Sequence, residues 1–73
     1  MPTASDDLRS LMEKWFGDPV SEYGPMQFLE SHGYTLTEFW YWKKPVPSHT
    51  VSSDEWDCIE FLIHEWDFGG IAP

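Results

Sequence analysis

Seventy-three residues are expected to form one small domain, 1–73, near the size at which a single core barely suffices. One cysteine, Cys58, excludes a disulfide within the chain, and Cys58, His32, His49 and His64 lack the paired spacing of a zinc site, so neither metal nor cofactor is expected. Thirteen acidic against four basic residues leave a formal charge of −9, which disfavours direct nucleic-acid binding and favours basic protein surfaces.

The opening MPTASDDLRS has neither the basic start nor the apolar run of a signal peptide. No apolar run approaches the roughly 20 residues that cross a bilayer. A cytoplasmic protein with no membrane partner is therefore expected. Five Trp, three Tyr and five Phe supply the apolar area that a short chain otherwise lacks.

In chain order, SDDLRSLMEKWFG (5–17) reads as an amphipathic helix, with Leu8, Leu11, Met12, Trp15 and Phe16 on one face. Ser5 caps it, Asp6 and Asp7 suit its positive end, and Gly17 ends it. A turn over 18–21 leads to a shorter helix, Pro25 to Ser31, stopped by Gly33. The aromatic and β-branched run 34–44 reads as strand; we expect a hairpin bending near Thr37–Phe39 rather than one long strand. Pro45-Val46-Pro47-Ser48 is an extended linker.

Residues 50–70 form the last helix. Ser52 and Glu55 fit a capping box, with Val51 and Trp56 placed as a hydrophobic staple. Trp56, Ile59, Leu62, Ile63 and Trp66 make its buried stripe, with Cys58 on the flank. Gly69 and Gly70 cap its end and let Ile71 fold back over the last turn. The expected class is a small α+β domain: helix, short helix, β-hairpin, helix.

The outer face of that last helix collects Asp54, Asp57, Glu60, His64, Glu65 and Asp67, with Phe61 among them. One reading is a solvated face with Phe61 covered by the tail or another helix. The other is a docking ridge, an apolar anchor ringed by acids and aimed at a basic partner. Carboxylates one turn apart lie about 5–6 Å from each other, a spacing similar to that of neighbouring phosphates.

Other chemistry is weakly supported. Glu60 and His64, with Asp57 and Asp67 nearby, would need a second element to enclose an ion. Ser48-His49 is a linker pair without a third group to orient a base, and we expect His49 to be solvated. His32 suits a helix C-terminus. Asp67-Phe68-Gly69 matches a kinase tripeptide by chance. In the strand, alternation puts Trp40 and Trp42 on one face and Phe39 and Tyr41 on the other. One pair packs on the helices; the Trp40/Trp42 pair is the candidate contact, with Lys43 and Lys44 protecting a sheet edge.

The segments Gly33-Tyr34-Thr35-Leu36-Thr37, Trp40-Tyr41-Trp42-Lys43-Lys44-Pro45 and Phe61-Leu62-Ile63-His64-Glu65-Trp66-Asp67-Phe68-Gly69-Gly70 resemble a type of small bacteriophage protein. The resemblance covers about half of the chain and implies a phage or mobile-element product acting inside a bacterium. In size and acidity the chain is also similar to anti-CRISPR and anti-restriction proteins, several of which imitate DNA. The leading expectation is a non-enzymatic inhibitor docking on a basic, nucleic-acid-binding surface of a host protein or nucleoprotein complex. Asp54, Asp57, Glu60, Glu65 and Asp67 would carry the negative pattern and Phe61 the anchor. The alternative is an interaction module using Trp40 and Trp42, with a homodimer as one form. A small metal-dependent enzyme ranks third.

Overall fold

A computed structural model describes residues 5–72. The signal-peptide reading at residues 1–4 and the two ends of the 1–73 span lie outside those residues. Among the described residues three helices and three short strands follow in the order α1 (Asp6–Phe16), α2 (Tyr23–Ser31), β1 (Thr35–Leu36), β2 (Tyr41–Lys43), α3 (Ser53–Trp66) and β3 (Gly70–Ile71). The α+β class is as expected. Among the described residues no helix is long and apolar enough to cross a membrane.

The ends of α1 follow local chemistry. The Ser5 side chain accepts from the Leu8 amide at 3.3 Å, and Gly17 leaves the helix at φ 90°. Met12 is fully buried, and Leu8, Leu11, Trp15 and Phe16 pack around the core. The second helix begins two residues earlier than its proline suggests, at Tyr23. Pro25 then falls in the first turn, where its missing N–H has no intrahelical acceptor to lose. His32 closes α2, its Nδ1 2.8 Å from the Phe28 carbonyl oxygen and its ring stacked on Phe28 at 4.3 Å.

α1 and α2 meet closely at Gly24. A Cβ there would stand 2.8 Å from Cβ and Cγ of Phe16, atoms tied to the α1 backbone. In an exposed helix, alanine is better than glycine by about 1 kcal/mol. Here the overlap outweighs that gain, and Gly24→Ala is expected to destabilise the fold by roughly 1–3 kcal/mol. A thermal melt would show it as a lower Tm; an unchanged or higher Tm would reject this helix contact.

The 34–44 run is a hairpin, with Thr35 opposite Lys43 and Leu36 opposite Trp42. The tail adds a third strand that the sequence reading lacked. β3 pairs in parallel with β2, Tyr41 opposite Gly70 and Trp42 opposite Ile71, giving the sheet order β1-β2-β3. Ile71 therefore joins the sheet, in a strand that also packs against the last helix. β2 is the central strand, so Lys43 does not guard an edge. Asp67, at φ 60° and ψ 34°, is the left-handed residue that ends α3, a role expected of Gly69 and Gly70.

α3 packs against both other helices and against β3. A helix covered on several sides buries a wide arc instead of one stripe. Cys58, Ile59, Phe61 and Leu62 are all buried, together with Glu55, whereas Trp56 is 45% exposed. The expected stripe is thus rotated: Trp56 leaves the core and Phe61 enters it. The remaining core is Met12, Leu29, Tyr34, Trp42 and Phe68.

Candidate partner-binding surface

The hairpin turn determines which aromatic rings reach solvent. Thr37 and Trp40 close it through a Trp40 amide bond to the Thr37 carbonyl at 3.1 Å, and the Thr37 amide donates to Tyr41 at 2.8 Å. The Thr37 hydroxyl accepts from the Tyr41 amide at 3.1 Å. Trp40 sits at φ 64°, the position that usually falls to glycine in a three-residue hairpin loop. Placing a bulky residue there costs about 1–2 kcal/mol. The left-handed residue also breaks the strand alternation. Trp42 is fully buried and Trp40 is 56% exposed, so the two indoles do not form one exposed pair, although both lie against Phe68.

Phe39, at 73% exposed, and Trp40 form the tip of the hairpin. The Trp40 ring stands edge-on to Phe68 at 5.3 Å, and Phe68 stacks on buried Trp42 at 6.3 Å. A cavity beside them is lined by Glu22, Trp40, Trp66, Asp67 and Phe68. Nothing in the sequence pattern joins Glu22, at the start of α2, to Asp67, at the end of α3. Trp66 was assigned wholly to the core, yet it is half-buried and lines this opening.

The acidic ridge expected on α3 is divided. Asp54, Glu60 and Asp67 are exposed and Asp57 is half-buried. Glu65 turns toward α1 and pairs with Arg9. Phe61 is 1% exposed, with Trp66 edge-on to it at 5.5 Å, so it is a core residue and not an anchor for a partner. Trp42 is likewise withdrawn from the candidate contact by burial. What replaces the ridge is a shallow groove between α1 and α3, where Asp57 and Glu60 are joined by Asp7, Leu8 and Leu11.

One carboxylate has a structural task. The Glu55 side chain is 2% exposed and completes the capping box, accepting from the Ser52 amide at 2.7 Å. The same oxygen lies 3.1 Å from His49 Nε2 and accepts from the Tyr34 hydroxyl at 3.3 Å. His49 is therefore pinned and half-buried instead of solvated. Burial alone would raise the Glu55 carboxyl. The bond from the Ser52 amide, with those from His49 and the charge of His49, outweighs burial and holds the group below its ordinary value. Burial, reinforced by the Glu55 charge and hydrogen bond, pushes the Tyr34 hydroxyl up to about 12. Burial and the neighbouring charges of Asp57, Asp54 and Glu55 push the Cys58 thiol up to about 12 as well, so it is a packing residue.

Among the described residues no three His, Cys, Asp or Glu side chains converge as a group that could hold a metal ion. The Glu60, His64, Asp57 and Asp67 set, weakly supported by the sequence, does not form such a group. The predicted contact residues that stay at the surface fall in two places: the aromatic hairpin tip beside Glu22 and Asp67, and the acidic groove of α1 and α3. No curated protein and no solved structure matches the chain. A family model described as "Phage Pam3 gp59 related protein" matches residues 1–73. That match spans every segment on which the likeness to phage proteins rested, and the chain belongs to the phage Pam3 gp59 related protein family.

Proposed function

We propose that this phage protein is a non-enzymatic inhibitor that docks on a basic, nucleic-acid-binding surface of a host defence complex, in the manner of an acidic anti-CRISPR or anti-restriction protein. The observation that carries the reading is the groove where Asp7, Asp57 and Glu60 from two helices line one depression with Leu8 and Leu11. Carboxylates supply the charge that phosphates would otherwise bring, and the two leucines supply apolar contact at its centre. Direct nucleic-acid binding and membrane binding play no part, given the net charge of −9. The partner is a protein or nucleoprotein surface in the bacterial cytoplasm.

Attraction between exposed charges is screened with a Debye length of about 8–10 Å at 0.1–0.15 M salt. Tagged protein in bacterial lysate is therefore expected to capture a nucleic-acid-binding defence protein at low salt and release it at high salt. Added DNA is expected to compete, and Asp57→Lys with Glu60→Lys to abolish capture. Binding that stays flat with salt, or that survives the double charge reversal, rejects the reading.

A second reading, an interaction module built on the hairpin, is favoured by the exposed Phe39 and Trp40 and by the backbone strain that holds Trp40 at the tip. A homodimer through this tip would appear in light scattering and be lost in Trp40→Ala.

A further inference from the structure

We infer that the cavity between the hairpin tip and the end of α3 receives the cationic side chain of a partner protein, an arginine or lysine. Glu22, Trp40, Trp66, Asp67 and Phe68 line it. Three independent features make it a cation site. Two carboxylate residues are among its lining, and among the described residues neither Glu22 nor Asp67 has an ion-pair partner. Two tryptophans are among its lining, and a guanidinium or ammonium over an indole face is attracted by the ring quadrupole. The carbonyl end of the fourteen-residue helix α3 terminates at Trp66 and Asp67, adding partial negative charge where a cation is stabilised.

Among the described residues no Lys or Arg is supplied to this place. Arg9 pairs with Glu65, Lys14 lines a depression beside Trp15 and Phe28, and Lys43 and Lys44 line another beside Pro45 and Pro47. These are the only four Lys and Arg residues of the sequence. With no Lys or Arg of the described residues at the cavity, charge complementarity selects a basic protein segment over an apolar or acidic one. The Trp40 backbone fits this use: a left-handed position carries a tryptophan, whose ring stands against Phe68, another lining residue of the cavity. Such strain persists where the surrounding structure holds it in place, often at binding sites. The inference rests on the reading of a basic partner and adds the place where one of its side chains is held.

The test is an NMR titration of the indole N–H signals, assigned by single Trp→Phe variants. N-acetyl-arginine amide and N-acetyl-lysine amide are the probes, and N-acetyl-citrulline amide, which has arginine's shape without its charge, is the control. Expected are saturable shifts of Trp40 and Trp66, with Trp15 and Trp56 unmoved and no response to citrulline. The Glu22→Gln, Asp67→Asn double variant is expected to bind about tenfold more weakly. Asn tolerates the left-handed backbone of Asp67, so this variant folds; a well-dispersed spectrum checks that. Failure to saturate, an equal response to citrulline, or undiminished binding by the double variant overturns the inference. So does a Trp40-dependent self-association that ignores Glu22→Gln and Asp67→Asn, since a second copy would then occupy the cavity through apolar contact. The outcome is separable from that of the α1–α3 groove, whose charge reversals at Asp57 and Glu60 leave these probes unaffected.

Discussion

Trp42→Ala is expected to remove most of the protein's stability, whereas Trp40→Ala leaves it nearly unchanged. The two indoles are neighbours in sequence, but Trp42 is fully buried and Trp40 is 56% exposed. Trp42 lies on the central strand, between Leu36 of β1 and Ile71 of β3, and it stacks on Phe68. Deleting a buried Trp ring costs about 3–5 kcal/mol. A chain of this length has roughly 4–11 kcal/mol in total. Trp42→Phe separates volume from polarity. The Trp42 Nε1–H is buried and has no hydrogen-bond partner among the described residues, a state that costs about 1–3 kcal/mol. Phenylalanine removes that donor along with part of the ring, so the two effects oppose each other and the net change is expected to stay within about 1 kcal/mol. Urea midpoints followed by far-UV circular dichroism measure all three variants. A Trp42→Ala midpoint close to that of Trp40→Ala would contradict the core assignment.

Local signals carried the helices and the hairpin, and tertiary context decided the faces. The Ser5 and Ser52 caps are interactions between residues three apart, so the sequence contains all of their partners. The same holds for the hairpin, where a strand run too long for the domain had to bend. The burial pattern of α3 was not legible in this way. Its 3.6-residue period places Ile59, Leu62 and Trp66 on one side, but not the number of neighbours that will cover the helix. With α1, α2 and β3 all in contact, the buried arc widened to include Cys58 and Phe61 and turned Trp56 outward. β3 has two residues, too few for alternation to show, and its partner strand lies well upstream in the chain. Trp40 defeated the alternation rule because it lies in the hairpin turn just before β2, at φ 64°, and not in the strand itself. The candidate sites suffered from the same limit: Asp57 and Glu60 could be placed together on one helix, but their junction with Asp7, and that of Glu22 with Asp67, are products of the fold.

Glu55 is the acid whose removal is expected to matter most for folding. Glu55→Ala leaves the Ser52 amide, the Tyr34 hydroxyl and His49 without their shared acceptor, and the expected loss is about 3–5 kcal/mol. Glu55→Gln keeps one oxygen as acceptor but adds an amide group that must find its own partner, so the expected loss is smaller, about 1–2 kcal/mol. The difference between wild type and Glu55→Gln carries a pH signature. The folded carboxyl is held below its ordinary 4.5, so its contribution is fully present above that value and is lost as pH falls through the lower folded one. Taking the difference cancels the general acid response of the other carboxylates, which both proteins share. The stability gap should therefore be present at about pH 5 and above and close at lower pH, as the protonated Glu55 comes to resemble the amide. On the alkaline side the Tyr34 hydroxyl, raised from 10.0 to about 12, keeps its stabilising effect below its ordinary value and loses it as pH rises through the folded one. Because part of that rise comes from the Glu55 charge, Glu55→Gln should reduce the alkaline loss as well. A stability gap that held the same value at pH 3 as at pH 7 would mean that the Glu55 charge contributes nothing, and the buried cluster would then be a matter of packing alone.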